Sequence, residues 1–215
     1  MRLGIHMPLK GGFKQNMDRI KAIGCETAQI FPGNPTGWRL GVADPAEMRD
    51  RVSVLAEQDI YPLIMHSAYL INLASPSADF LEKSKLLLTR TMERAALHRS
   101  PYVVLHTGNH GGQGAEQGIE QIIETIGSGL PDWPDSVKLL LENTAGGGTA
   151  LGSCFCELAR ILNAFPAGTL GVCFDTAHGW AAGYDCGSKD GITGMLEQFD
   201  NTIGLKHLLA IHIND

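Results

Sequence analysis

The sequence predicts an α/β fold of repeating strand–helix units, a TIM-type (β/α) barrel, on three observations. Short apolar, β-branched runs recur at the spacing of one strand plus one helix. Helix-period segments fill the gaps between them. Glycine-rich segments recur where strands finish and helices begin. The strand runs are Leu3–Ile5, Thr27–Phe31, Pro62–Met65, Tyr102–Leu105, Val137–Leu141, Leu170–Phe174 and Leu208–Ile211. The intervening helices are expected over Asn16–Ile23, Ala46–Gln58, Ala78–His98, Gly118–Ile126, Phe155–Asn163 and Ile192–Ile203, several opened by a Ser, Asp or Pro start signal. Regular alternation of this kind means parallel strands joined by helical crossovers.

The glycine-rich segments Lys10–Gly12, Gly108–Gly114, Ala145–Gly152 and Gly179–Gly187 would then all lie at the end of the sheet where strands finish. In a TIM barrel that end carries the chemistry, whereas an open doubly wound sheet uses only the crevice at its switch point. Chemistry spread over five strand ends favours the barrel. A barrel has eight strands, and seven are visible in 215 residues, so a single domain over 1–215 lacking its eighth strand and last helices is expected. No Pro- or Ser-rich linker divides the chain.

Composition narrows the class further. The chain is 44% hydrophobic and 19% charged, enough apolar material for one large core. Nothing approaches a membrane span, and Met1–Lys10 lacks the layout of a secretory signal, so a cytoplasmic protein is expected. Five cysteines, an odd number in a chain of this size, point to reduced thiols, and Cys154–Phe155–Cys156 lacks the second pair a zinc ribbon needs. A net charge of −6 argues against binding a polyanion by bulk electrostatics.

The chemistry-bearing residues sit at five consecutive strand ends. His66, His106, Glu142, Asp175 and His212 are separated by 40, 36, 33 and 37 residues, the repeat length itself. A single histidine ending a strand is more often a hydrogen-bonded structural residue than a ligand. Three imidazoles and two carboxylates around one opening call for compensation, and a divalent cation is the simplest. The mixed set suits Zn²⁺, with Mn²⁺ or Fe²⁺ as alternatives, and suits Ca²⁺ or Mg²⁺ poorly. Five ligands exceed one tetrahedral zinc, so a bridging carboxylate is economical, and Glu142 is the candidate bridge. Two metals point to phosphoryl chemistry, with Glu142, His106 and Asp175 as the catalytic group. His178, three residues after Asp175, can serve a neighbouring ion.

Four strings carry a resemblance: His66–Leu73 (HSAYLINL), Glu142–Gly146 (ENTAG), Gly171–His178 (GVCFDTAH) and His212–Asp215 (HIND). They resemble the signature segments of the endonuclease IV family of apurinic/apyrimidinic endonucleases. That resemblance implies a zinc-dependent TIM barrel that cuts DNA 5′ to an abasic site and leaves 3′-hydroxyl and 5′-deoxyribose phosphate ends. A monomer with no obligate protein partner is expected.

Carried over by position, the resemblance implies that His66, His106 and Glu142 hold one zinc, that Glu142 bridges to a second held by Asp175 and His212, and that His178 contributes to a third. The family's remaining ligands, an Asp and a His of the third zinc and a Glu of the second, match nothing up to Asp215. Two or three zinc ions are thus expected in an intact protein, and the activity of this chain alone is left open. For double-stranded DNA, Tyr69 and Leu70 match the family's loop after the third strand, and Asn34, Trp38 and Arg39 match the loop after the second. Such loops enter the minor groove and flip out the abasic sugar. Thr36 stands where the family pattern has an intercalating Arg.

Plainer alternatives accompany these readings. Trp38 and Tyr69 also suit partly buried loop anchors, and the basic residues Lys10, Lys14, Arg19 and Lys21 suit a solvated surface. The run Gly146–Gly148 suits a tight turn with positive φ. His6 is expected to hydrogen-bond behind the metal ligands. His98, His110 and His207 are read as surface or structural. Three Zn²⁺ would offset the charge of −6 where a phosphate must sit. The competing functions are a metal-dependent sugar isomerase or epimerase of the xylose-isomerase-like barrels, which calls for carboxylate-dominated ligands, and an inactive metal-binding fragment.

Overall fold

A computed structural model describes residues 1–215. The strands are β1 (Gly4–His6), β2 (Thr27–Ile30), β3 (Leu63–His66), β4 (Tyr102–His106), β5 (Lys138–Glu142), β6 (Leu170–Asp175) and β7 (Leu208–His212). They follow one another in a single sheet in chain order. The pairs β1–β2, β2–β3, β3–β4, β5–β6 and β6–β7 run parallel. The helices are α1 (Phe13–Ala22), α2 (Pro45–Glu57), α3 (Ala78–Leu97), α4 (Ala115–Gly129), α5 (Phe155–Asn163), α6 (Thr176–Ala181) and α7 (Lys189–Thr202). All seven expected strands and all six expected helices form, with ends displaced by a few residues. No helix is long and apolar enough to cross a membrane.

The chain packs as two compact units: residues 1–70, 86–104 and 132–138 in one, and 71–85, 105–131 and 139–215 in the other. In the first, Met17 and Ile20 of α1, Ile30 of β2, Met65 of β3 and Leu88 and Met92 of α3 are buried almost completely. Helix α2 starts where Asp44 accepts a hydrogen bond from the Ala46 N–H at 2.9 Å, with Pro45 at the first helical position. A cap of this kind stabilises a helix by about 1 kcal/mol. His98 is fully buried beyond the end of α3. Its Nδ1–H donates to the Arg94 carbonyl at 2.9 Å, and its Nε2 accepts from Arg51 Nη1 at 3.2 Å. Burial, reinforced by the Arg51 and Arg94 guanidiniums, pushes its pKa from 6.5 to about 4. The structural reading of His98 therefore holds.

In the second unit β6 is buried along its whole length, as a parallel strand covered on both faces must be. Gly171 admits no side chain, because a Cβ there would come within 2.6 Å of Leu209 and 2.7 Å of Leu140. Phe155 at the start of α5 stacks on Tyr184 and meets Phe199 of α7 edge-on. Gly146, Gly147 and Gly148 all have positive φ, between 56° and 87°, so the tight-turn reading of that run is correct.

Two expectations are corrected. The sequence predicts a glycine-rich loop from β6 to the last helix, yet α6 forms at once because the Asp175 side chain caps it, accepting from the His178 N–H at 2.8 Å. Gly179 inside α6 sits against the Phe174 ring, where a Cβ would be 2.5 Å away. The expectation of unpaired thiols fails at Cys154 and Cys156, which are joined as a disulfide at the first turn of α5, while Cys25, Cys173 and Cys186 are free.

Candidate metal centre

In the second unit, register brings the predicted residues to one level. Glu142, the last residue of β5, pairs with Cys173 of β6, and Asp175 lies two residues further along β6 on the same face. Between β6 and β7 the register shifts by one: Val172 pairs with Leu208, but Cys173 pairs with Ala210 and Asp175 with His212. The extra residue, Leu209, is decisive. Were Leu209 instead paired with Cys173, with no shift, His212 would stand opposite Thr176, and bulges re-aim side chains in this way.

Glu142 is 1% exposed and Asp175 is 3% exposed. Three imidazoles converge on the Glu142 carboxylate. His212 Nδ1 lies 3.1 Å from Oε1, His178 Nδ1 lies 3.4 Å from Oε1, and His106 Nε2 lies 3.3 Å from Oε2. Asp175 is close behind, with Oδ2 at 3.7 Å from His212 Nδ1 and Oδ1 at 3.8 Å from His178 Nδ1. Ligand atoms of Glu142, Asp175 and His212 all lie within 4.8 Å of one another. Two buried carboxylates and an imidazole nitrogen within that reach are donors a divalent transition metal takes, so Glu142, Asp175 and His212 fit such an ion.

Local electrostatics agree. The Glu142 hydrogen bond holds the His178 imidazolium above its usual pKa against partial burial, with Asp175 adding to the effect. Burial, with Glu142 and Asp175 nearby, pushes the Cys173 thiol well above its ordinary value, so the Cys173 thiol is held neutral. The His178 Nδ1 also approaches the Asn143 carbonyl at 2.9 Å. An imidazole whose Nδ1–H is given to a carbonyl presents Nε2 as its lone-pair nitrogen, the usual arrangement of a ligating histidine.

The remaining predicted residues lie in the first unit. His66, 4% exposed, gives its Nδ1–H to the Ser67 carbonyl at 2.7 Å, the same ligand-type tautomer as His178. His6 stacks beside it with ring centroids 6.1 Å apart, and its Nδ1 meets Gln29 Nε2 at 3.1 Å. His6 therefore packs against the predicted ligand His66, and Gln29 is a partner that sequence reading missed. Phe31 and Tyr69 close the same aromatic group around His66.

The loop after β2 is self-braced. Asn34 Oδ1 accepts from both the Thr36 N–H, at 3.1 Å, and the Thr36 hydroxyl, at 3.0 Å. Asn34 thus shapes the turn, and Thr36 is folded back onto it. Trp38 is half-buried and Arg39 is exposed. Tyr69 is 53% exposed, its N–H donating to the Pro35 carbonyl, and Leu70 is half-buried beside it.

Comparison with known proteins places this arrangement. The xylose isomerase-like TIM barrel family matches residues 17–215. Proteins named probable endonuclease 4 are similar over the full chain: 44% identical in Natranaerobius thermophilus and 42% in Halothermothrix orenii, the chain covering 76% and 78% of them. The crystal structure of endonuclease IV from Thermus thermophilus superposes with a TM-score of 0.86 at 33% identity, over 100% of this chain and 77% of that one. A D-tagatose 3-epimerase-like protein, 18% identical with a TM-score of 0.76 over 99% of this chain and 76% of its own, shares the fold. The chain belongs to the endonuclease IV family of the xylose isomerase-like TIM barrels.

Proposed function

We propose that this chain is a zinc-dependent DNA-repair endonuclease that hydrolyses the phosphodiester bond 5′ to an abasic site, leaving 3′-hydroxyl and 5′-deoxyribose phosphate ends. The convergence of three imidazoles and a second carboxylate on buried Glu142 is the observation that carries this reading. The names of the relatives point the same way. In this reading His66, His106 and Glu142 would hold one ion, Glu142, Asp175 and His212 would hold another, and His178 would contribute to a third. Manganese is the alternative metal. Zinc, when bound, supplies a Lewis acid that polarises a phosphate and lowers the pKa of water.

The chain's own groups have separate tasks. The Asn143 carbonyl holds the Nδ1 proton of His178, and Asp175 Oδ1 holds the His178 backbone N–H, so that ring is oriented at both ends. Tyr69 and Leu70, with the loop carrying Asn34, Trp38 and Arg39, are the proposed contacts to duplex DNA, and His6 steadies His66. The protein is proposed to act in the cytoplasm as a monomer, with 1–215 forming one domain.

A duplex with a single abasic site tests this. A nick 5′ to the lesion that disappears with chelator and returns with zinc is expected. Absence of cutting by zinc-loaded protein, or turnover of a free sugar instead, overturns the reading.

A further inference from the structure

The residues that follow the proposed ligands form a series of their own. Thr107 follows His106, Asn143 follows Glu142, and Thr176 follows Asp175. Each makes a hydrogen bond to the backbone at or beside the next proposed ligand in strand order. The Thr107 hydroxyl donates to the Glu142 carbonyl at 2.8 Å. The Asn143 amide grips Asp175 twice: Oδ1 accepts the Asp175 N–H at 2.6 Å, and Nδ2 donates to the Asp175 carbonyl at 3.0 Å. The Thr176 hydroxyl donates to the Asn214 carbonyl at 2.6 Å, lies 3.3 Å from the His212 carbonyl, and accepts the Asn214 N–H at 2.8 Å.

These bonds lie where the strand ladder stops. The register of β5 with β6 ends at Glu142 and Cys173, and the Asn143 side chain carries the pairing on to Asp175. Thr107 and Asn143 are each 1% exposed, so an unpaired amide or hydroxyl there would carry a full desolvation penalty. Because the grip is on backbone, each carboxylate remains able to exchange an imidazole for a cation while its strand end stays in place. Asn143 does most, since its own carbonyl also takes the Nδ1 proton of His178.

We infer that Thr107, Asn143 and Thr176 are positioning residues, a relay of strand-end braces that sets the spacing of Glu142, Asp175, His178 and His212 for metal. The inference rests on the metal reading proposed above. Partners of this kind, lying behind metal ligands, are worth roughly 10- to 100-fold in affinity.

Zinc affinity and stoichiometry of the 215-residue chain, by competition with a chromophoric chelator and by elemental analysis, test the relay. Asn143→Ala is expected to weaken zinc binding by about 10- to 100-fold, with smaller losses in Thr107→Val and Thr176→Val. Thr91→Val removes a buried hydroxyl that bonds the Leu87 carbonyl within α3, and is expected to lower the melting temperature while leaving zinc affinity unchanged. Melting of the chelator-treated proteins is measured in parallel. If Asn143→Ala loses stability there but binds zinc like the parent, the residue is only structural and the inference falls. Should Asn143→Ala fail to fold by circular dichroism, the two near-isosteric Thr→Val variants decide: parental zinc affinity in both overturns the relay. Zinc binding by the parent with no loss in any variant sinks the relay alone, whereas no zinc binding by the parent sinks the metal reading as well.

Discussion

His98 and His178 make the same local hydrogen bond in opposite surroundings. Each directs Nδ1 at a main-chain carbonyl 2.9 Å away, that of Arg94 in one case and Asn143 in the other. His98 is buried against Arg51 and Arg94 and is held neutral, its pKa pushed down to about 4. His178 faces Glu142 and Asp175 and is held toward its charged form. A ring that cannot accept a proton because it is buried among arginines is a structural strut. A ring among carboxylates has positive charge invited to it, whether as a proton or as a metal ion. The neighbours, rather than the imidazole, separate the two roles.

The largest expected effect comes from removing the charge that defines the second environment. Glu142→Gln keeps the volume but takes the shared carboxylate from His106, His178 and His212. It is expected to release more than one zinc and to lower nicking of an abasic duplex by more than the roughly 100-fold that loss of an outlying partner costs. Elemental analysis and single-turnover cutting check both parts. Full metal content in the variant would mean that Glu142 is not the shared ligand.

The first environment is sharpened by pH. The folded pKa of His98, about 4, lies below the ordinary 6.5, so the unfolded chain binds more protons between those values. Stability is therefore full above about pH 6.5 and is lost as pH falls toward 4, by about 3 kcal/mol in all. His98→Gln keeps an amide donor for the Arg94 carbonyl and removes the titration. Urea unfolding from pH 7 to 4 is expected to show a shallower decline in the variant, and parallel declines would exclude His98 as the source.

How far these sites could be read from sequence follows from what each depends on. His66, His106, Glu142, Asp175 and His212 were legible because a strand end recurs with the repeat, and the same regularity exposed the strands and the longer helices. The bulge at Leu209 that sets His212 beside Asp175 was not legible, since an apolar run looks the same with or without an extra residue. Helix α6 was hidden because Gly179 weakens helix propensity there, and the Asp175 cap that starts it is an interaction rather than a composition. The braces Thr107, Asn143 and Thr176 did carry a signal, a small polar residue directly after His106, Glu142 and Asp175, but its meaning depends on cross-strand register. In the loop after β2, identity alone could not show that Thr36 turns back onto Asn34.

The smallest effect is the one whose sign completes the contrast. In chelator-treated protein the folded pKa of His178 lies above its unfolded value. Its contribution to stability is then fully present below the unfolded pKa and is lost as pH rises through the folded pKa, opposite to His98. The ring is partly exposed, 28% by side chain, so solvent screening limits the contribution to at most about 1 kcal/mol. His178→Gln is expected to remove that alkaline-side decline and to leave the acid-side decline of His98 untouched. Zinc should erase the His178 effect in the parent, because an ion and a proton compete for the same ring. A decline of equal size with zinc present would show that the ring titrates without reference to the metal, and would remove His178 from the proposed ligand set.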